Sequence, residues 1–567
     1  MAKRKARRKR TTGRSQRLLF WVLGLALAVF AVCGGSIWLL VRREPAPANR
    51  TVSSSRREVV LRIAYTPEKR EAFEALVADY NATKPRLPGG KRVRIEAVPL
   101  EADLLVEQAL QNTFQAISPD SSIWLEEIDR LWQKERAPEA LLVGERTHYM
   151  VSPIVIAMWH EVATQMGYPE RMLGWQDLLS AAVRDPDFTW SHPSPTTASG
   201  LLAILATFYA ASGTTRGLTE EQATAPATLE YVRQLEATVK HYGEGELAVM
   251  QHIEEQGRAY LDAFVVPEQL VVQYNLRHPE QLLAIYPLEG TLWQDHPLAL
   301  LEHPDRTDEE RQAYALFKEY LLSEPIQRKV LQFGYRPADV RISLESPESP
   351  IRPENGADPQ QPHTTLQVPS AGVIEVVKNV WWYTKRPANV YLVVDTSGSM
   401  AGRKLSDAQA ALHLFLEEVR GPEDRVGLIS FADRPHERVP LMRMEEGRAR
   451  LSQEVEALEA GGNTALLDSV LYALERLEAL NDTGRINAIV VMTDGQENAS
   501  AVSREALLKR LEEAYRSGLR VVVFCVAYGR TADMKTLEAI SSAAGGFTST
   551  SEPETIRALY KALSTYF

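Results

Sequence analysis

Hydrophobic and polar positions divide this chain into stretches with different periods. Residues 18–41 run 24 positions without a charge, between a basic segment and the pair Arg42-Arg43. Residues 59–65, VVLRIAY, alternate as a strand does; Thr66-Pro67 follows, then a helix-like stretch over 68–81. A second strand pattern covers 92–98 and a helical one 101–115. This β-α-β-α opening predicts a parallel sheet with helices on its faces. Residues 149–159 read as a buried strand, and the turn 194–200 precedes an apolar helix over 201–211. Further on, 373–383 is amphipathic and 389–394 is strongly β-branched. Strand patterns at 425–431, 486–493, 520–526 and 547–550 then alternate with helical ones at 404–420, 465–479, 503–517, 534–543 and 554–565. That is the order of a doubly wound α/β sheet.

Between these regions the composition shifts. Residues 340–371 are rich in Pro, Glu and Ser and lack periodic apolar positions, which predicts a semi-extended linker with the flanking modules held apart. No internal repeat is detectable. The chain parses as a basic cytoplasmic tail 1–17, a transmembrane signal anchor 18–41, a domain over 58–339, the linker 340–371 and a domain over 372–567.

At 1.5 Å per residue the run 18–41 is long enough to cross a hydrocarbon layer of about 30 Å as one helix. The first seventeen residues hold nine Lys or Arg and no acid, so they are expected to stay in the cytoplasm, with the bulk of the chain exported. A cleavable signal peptide would have a shorter apolar core; lipidation of Cys33 would want a small residue where Val32 stands. Without those nine charges, 55 Lys and Arg face 74 Asp and Glu, a net of −19 that repels nucleic acid. The two cysteines, Cys33 and Cys525, lie in segments that do not meet, so no disulfide framework is expected.

The segments VSPIVIAMWHEVATQMGYPERMLGWQDLL, HPSPTTASGLLAIL, VVPEQLVVQYN, IYPLEGTLWQDHPLALL and VLQFGYRPADV, in that order, resemble the bacterial extracellular solute-binding proteins. The resemblance covers nearly all of 58–339 and implies two α/β lobes around a ligand cleft. Small polar residues at helix starts can there offer hydroxyls and N–H groups to a solute oxyanion. Thr66, Ser121, Ser122, Ser152, Thr197 and Ser199 are the candidates, each also explicable as a cap or turn residue.

In the last domain three sequence features end on oxygen-bearing side chains. The strand run 389–394 leads into Asp395-Thr396-Ser397-Gly398-Ser399; a glycine-rich loop leads into Thr464; and the strand run 489–493 ends on Asp494. In an open parallel sheet, ligands bind at the carboxyl ends of strands. Carboxylates and hydroxyls gathered on that rim offer only oxygen, the preference of Mg²⁺ and, in some sites, of Ca²⁺ or Mn²⁺. D-x-S-x-S, a distant Thr after glycines and T-D-G at a later strand end resemble the von Willebrand factor A domain and its metal-ion-dependent adhesion site. The resemblance implies that Ser397 and Ser399 bind the ion directly and that Thr464 binds directly or through water. Asp395 and Asp494 would hold coordinated waters or the ion itself. It also implies a partner whose Asp or Glu carboxylate completes the octahedron.

No H-E-x-x-H, G-x-S-x-G or Walker loop is present, and no Cys-His pair in a catalytic context, so a binding protein rather than an enzyme is expected. The expectation is a membrane-anchored extracytoplasmic adhesion or assembly protein. Its alternatives are a solute-binding sensor or carrier of an ABC-type system and a transport regulator.

Overall fold

The computed structural model describes residues 58–136, 140–243, 245–279, 281–517, 519–529, 531–551, 556, 560 and 563–567. The expected anchor over 18–41, with Cys33 and the basic tail, lies outside them. Among the described residues no helix is long and apolar enough to cross a membrane.

The first domain is built on two sheets. One runs, edge to edge, through Arg92–Pro99, Glu58–Tyr65, Ala116–Ser118, Pro297–Leu301 and Val143–His148. Glu58–Tyr65 and Ala116–Ser118 are parallel, as the β-α-β-α opening requires, but Pro297–Leu301 returns antiparallel to both of its neighbours, making the sheet mixed. The second sheet centres on Met150–Trp159, whose last eight residues are buried and which pairs antiparallel with Ala263–Pro267 and Leu282–Ile285. The chain passes between the sheets at 148–150 and 294–297, giving two α/β lobes. The helix Ala198–Ser212, capped by the Thr197 hydroxyl, is buried along most of its length in the second lobe.

The last domain holds a six-stranded sheet. Its strands are β1 (Ala388–Asp395), β2 (Arg425–Phe431), β3 (Pro435–Arg443), β4 (Ile486–Thr493), β5 (Val521–Tyr528) and β6 (Thr548–Ser551), in the order β3-β2-β1-β4-β5-β6. All neighbours are parallel except β3. The helices are α1 (Ala371–Thr384), α2 (Arg403–Glu418), α3 (Met444–Glu456), α4 (Leu466–Leu480), α5 (Arg504–Arg516) and α6 (Met534–Ala543). β1, β4 and β5 are buried at every position, because helices cover both faces and leave no polar alternation. β3 and α3 are absent from the sequence expectation. The β3 residues PHERVPLMR include His436, Glu437, Arg438 and Arg443 and two prolines, as suits a strand that guards an edge. Cys525 is buried in β5 and burial pushes its thiol up to about 12.

The segment 340–371 corrects the linker expectation. Its backbone is irregular, but it is not a free spacer: Ile342, Ile351, Ala357 and Leu366 are buried. Ile342, Ile351 and Ala357 pack against Val272 and Leu331, Thr365 bridges to Thr291, and Arg336 holds the Asp358 carbonyl. Nor are the domains held apart. Val59–Phe567 is one compact unit, and a single apolar core runs from Trp159 and Tyr242 of the second lobe to Trp381, Phe415 and Phe567 of the last domain. Tyr242 stands edge-on to Trp381 with ring centroids 5.0 Å apart, and its hydroxyl accepts the Arg386 N–H at 2.8 Å. A Glu-specific protease acting on the native chain is therefore expected to spare Glu345, Glu348 and Glu354, while a free linker would be cut there first.

Candidate metal centre

Parallel pairing fixes the rim on which the site is built. β1 lies between β2 and β4, with Asp395 opposite Phe431 and Val394 opposite Met492, so the two acidic strand ends emerge side by side. Asp395 and Asp494 are fully buried, and Ser397 and Thr464 nearly so, while Ser399 is exposed. The Ser397 N–H donates to Asp395 Oδ1 at 2.7 Å, and the Thr493 hydroxyl to Asp395 Oδ2 at 2.5 Å. Ser397 Oγ and Ser399 Oγ are 3.0 Å apart, and Ser399 donates to Asp494 Oδ1 at 2.7 Å. Lys404 Nζ is paired with Asp494 Oδ2.

Thr464 joins this group through Gly495. A Cβ placed on Gly495 would lie 3.2 Å from Thr464 Oγ1, a tight contact, and at ordinary contact distance from Ser399 Oγ (3.6 Å) and Asp395 Oδ2 (3.7 Å), so three ligand-type oxygens face one point beside this glycine. The loop carrying Thr464 is braced from outside. Its N–H donates to Asn498 Oδ1 at 2.8 Å, its carbonyl accepts the Asn498 N–H at 3.1 Å, and Asp433 Oδ1 accepts the Asn463 N–H at 3.0 Å. All five expected residues are thus brought together on one rim.

The donor set fits a hard divalent cation: two carboxylates and three hydroxyls, with no nitrogen or sulfur. Among the described residues no group of three His, Cys, Asp or Glu could hold a metal, so a site here depends on its hydroxyls. Burial, with a smaller contribution from Asp494, pushes the Asp395 carboxyl above its ordinary value, and the hydrogen bonds from Thr493 and Ser397 oppose this.

The model of the von Willebrand factor type A domain matches residues 389–562, and that of the bacterial extracellular solute-binding proteins matches 61–336. The chain carries both domains. Over 173 residues it is 30% identical to inter-alpha-trypsin inhibitor heavy chain H4 of Homo sapiens, a match over 29% of this chain that spans only 18% of that protein. Among solved structures it is similar to a von Willebrand factor type A protein from Catenulispora acidiphila (18% identity, 32% of this chain, 43% of that one, TM-score 0.29). It is also similar to an extracellular solute-binding protein from Bordetella parapertussis (10% identity, 57% and 97%, TM-score 0.40).

Around the von Willebrand factor type A site, sequence reasoning missed Thr493, Asn498 and Lys404. Thr493 was visible as the first residue of T-D-G, but its bond to Asp395 depends on the register of β1 against β4.

In the solute-binding domain the six hydroxyl candidates lie around the lobe boundary, and the chain already engages them. Thr66 donates to Glu68 at 2.8 Å, Ser122 to Asp295 at 2.6 Å and Ser199 to Glu246 at 2.5 Å. Ser121 receives the Ile123 N–H, Ser152 the Gln269 N–H and Thr197 the Gly200 N–H. Carboxylates of the chain thus take the hydroxyls of Thr66, Ser122 and Ser199, whereas Ser121, Ser152 and Thr197 accept backbone N–H groups. A cavity of about 240 Å³ remains at the mouth, lined by Glu68, Lys69, Met250, Leu270, Arg277 and Tyr335.

Burial pushes Glu68 up to about 7. The folded chain thus keeps a proton that the unfolded chain has released. The resulting stability is full below the unfolded value of 4.5 and is lost as pH rises towards 7. Glu68→Gln is expected to flatten the fall in Tm between those limits, as followed by calorimetry. In the other domain, Gly495→Ala puts a methyl among the ligand oxygens at a cost of about 1–3 kcal/mol. It is expected to weaken Mg²⁺ binding at least about tenfold by isothermal titration.

Proposed function

We propose that this chain is a membrane-anchored, extracytoplasmic binding protein that uses a divalent metal, Mg²⁺ by preference, to hold an acidic group of a protein partner. The observation that carries the reading is the convergence of the Thr464, Ser399 and Asp395 oxygens on the open side of Gly495. With an ion bound there, the chemistry supplied is that of a Lewis acid with a coordination position left for a partner's Asp or Glu carboxylate. The chain's own residues do the rest. Ser397, Ser399 and Thr464 offer neutral oxygens that leave the ion's charge largely uncancelled. Thr493 and the Ser397 N–H fix the rotamer of Asp395, and Asn498 keeps Thr464 at the rim. Exposed Ser399 marks the side from which a partner approaches. The role is binding, not catalysis. The apolar run 18–41 supplies the anchor and the basic tail its orientation.

For the solute-binding domain, the engagement of Thr66, Ser122 and Ser199 by Glu68, Asp295 and Glu246 supports a protein-contact and spacing role over delivery of cargo to a permease. The cavity at its mouth keeps a small-solute sensor as the second reading.

Mg²⁺ titrated into the full chain is expected to bind at one site and to raise stability by about 2.7 kcal/mol at a hundredfold excess over Kd. Asp395→Ala is expected to lose both effects. Wild type that binds no Mg²⁺ would overturn the reading.

A further inference from the structure

Lys404 is the third residue type at the metal rim, beside the carboxylates and hydroxyls. It is the second residue of α2, and its ammonium contacts Asp494 Oδ2, the oxygen that Ser399 does not use. Asp494 is closed to water, whereas the Lys404 side chain keeps 36% of its surface exposed. Among the described residues it is the one cation paired with either Asp395 or Asp494. Without a metal, it gives the buried carboxylate the charge-assisted partner that burial demands.

A divalent ion served by Asp494 would face this ammonium across a single carboxylate, and the repulsion between a double and a single positive charge at such range is large. Lys404 can give way where Asp494 cannot, because its long stem reaches solvent. Asp407, one turn further along α2, is at the spacing of a helical ion pair and already gathers Arg403 at 3.5 Å and the Tyr528 hydroxyl at 3.1 Å.

We propose that Lys404 is a built-in competitor for the metal: its ammonium holds Asp494 in the metal-free protein, must leave before an ion binds, and so sets the Mg²⁺ concentration at which the site loads. The proposal rests on the metal reading above and adds that loading is an exchange of one cation for another. It explains how two buried acidic strand ends persist in the empty protein, and it makes the site one that fills only when divalent ion is plentiful.

The test compares full-length wild type, Lys404→Met, Lys404→Gln, Lys404→Arg and Asp395→Ala, each titrated calorimetrically with MgCl₂ and each melted in chelator. Lys404→Met and Lys404→Gln are expected to bind Mg²⁺ about 10- to 100-fold more tightly than wild type. They are also expected to melt at a lower temperature than wild type in chelator. Lys404→Arg, which keeps the charge, is expected to stay close to wild type in both. A Kd for the two neutral variants equal to or weaker than that of wild type overturns the competition. Absence of Mg²⁺ binding in wild type and every Lys404 variant overturns instead the metal reading on which it rests.

Discussion

Two carboxylates carried to the ends of adjacent parallel strands and shut away from water have to be compensated, and the architecture around Asp395 and Asp494 is arranged to do so. Each carboxylate oxygen has a donor: the Ser397 N–H and the Thr493 hydroxyl for Asp395, Ser399 and the Lys404 ammonium for Asp494. Burying β1 and β4 between helices brings the carboxylates close, and that burial pushes Asp395 above its ordinary value. The same compactness that builds the sheet therefore builds a place where positive charge is favourable.

A second constraint is the continuous apolar core joining the second lobe to the last domain. Tyr242, Trp381 and Phe567 belong to one cluster, and Arg386 donates both to the Tyr242 hydroxyl and to the Val239 carbonyl. The last domain is thus joined to the solute-binding domain through packed side chains rather than through a tether. The segment 340–371 adds to this by lying against the first domain, with Ile351 and Leu366 turned inward.

Much of this was legible in the chain. The five residues of the candidate metal centre were readable because each falls at a strand end or loop whose β-branched or glycine-rich context is local. The doubly wound order was readable because β1, β2, β4 and β5 are apolar throughout or nearly so. Three things were not. β3 carries His436, Glu437 and Arg438, and a charged edge strand has no apolar period to find. The segment 340–371 buries apolar residues at irregular spacing, which a composition reading averages away. Two of the candidate hydroxyls in the solute-binding domain meet acceptors far off along the chain, with Glu246 47 residues beyond Ser199 and Asp295 173 residues beyond Ser122. Long-range pairing of that kind leaves no local signal, and the Lys404–Asp494 pair, 90 residues apart, is hidden for the same reason.

The most direct measurement is anomalous diffraction from crystals of the protein grown with Mn²⁺, an ion that shares the oxygen preference of Mg²⁺. The account predicts a peak among the side-chain oxygens of Asp395, Ser397, Ser399, Thr464 and Asp494, about 2.0–2.3 Å from those that bind it directly, with Lys404 turned away from Asp494. Density that shows the ammonium still on Asp494 and no peak at that rim in saturating Mn²⁺ would contradict it.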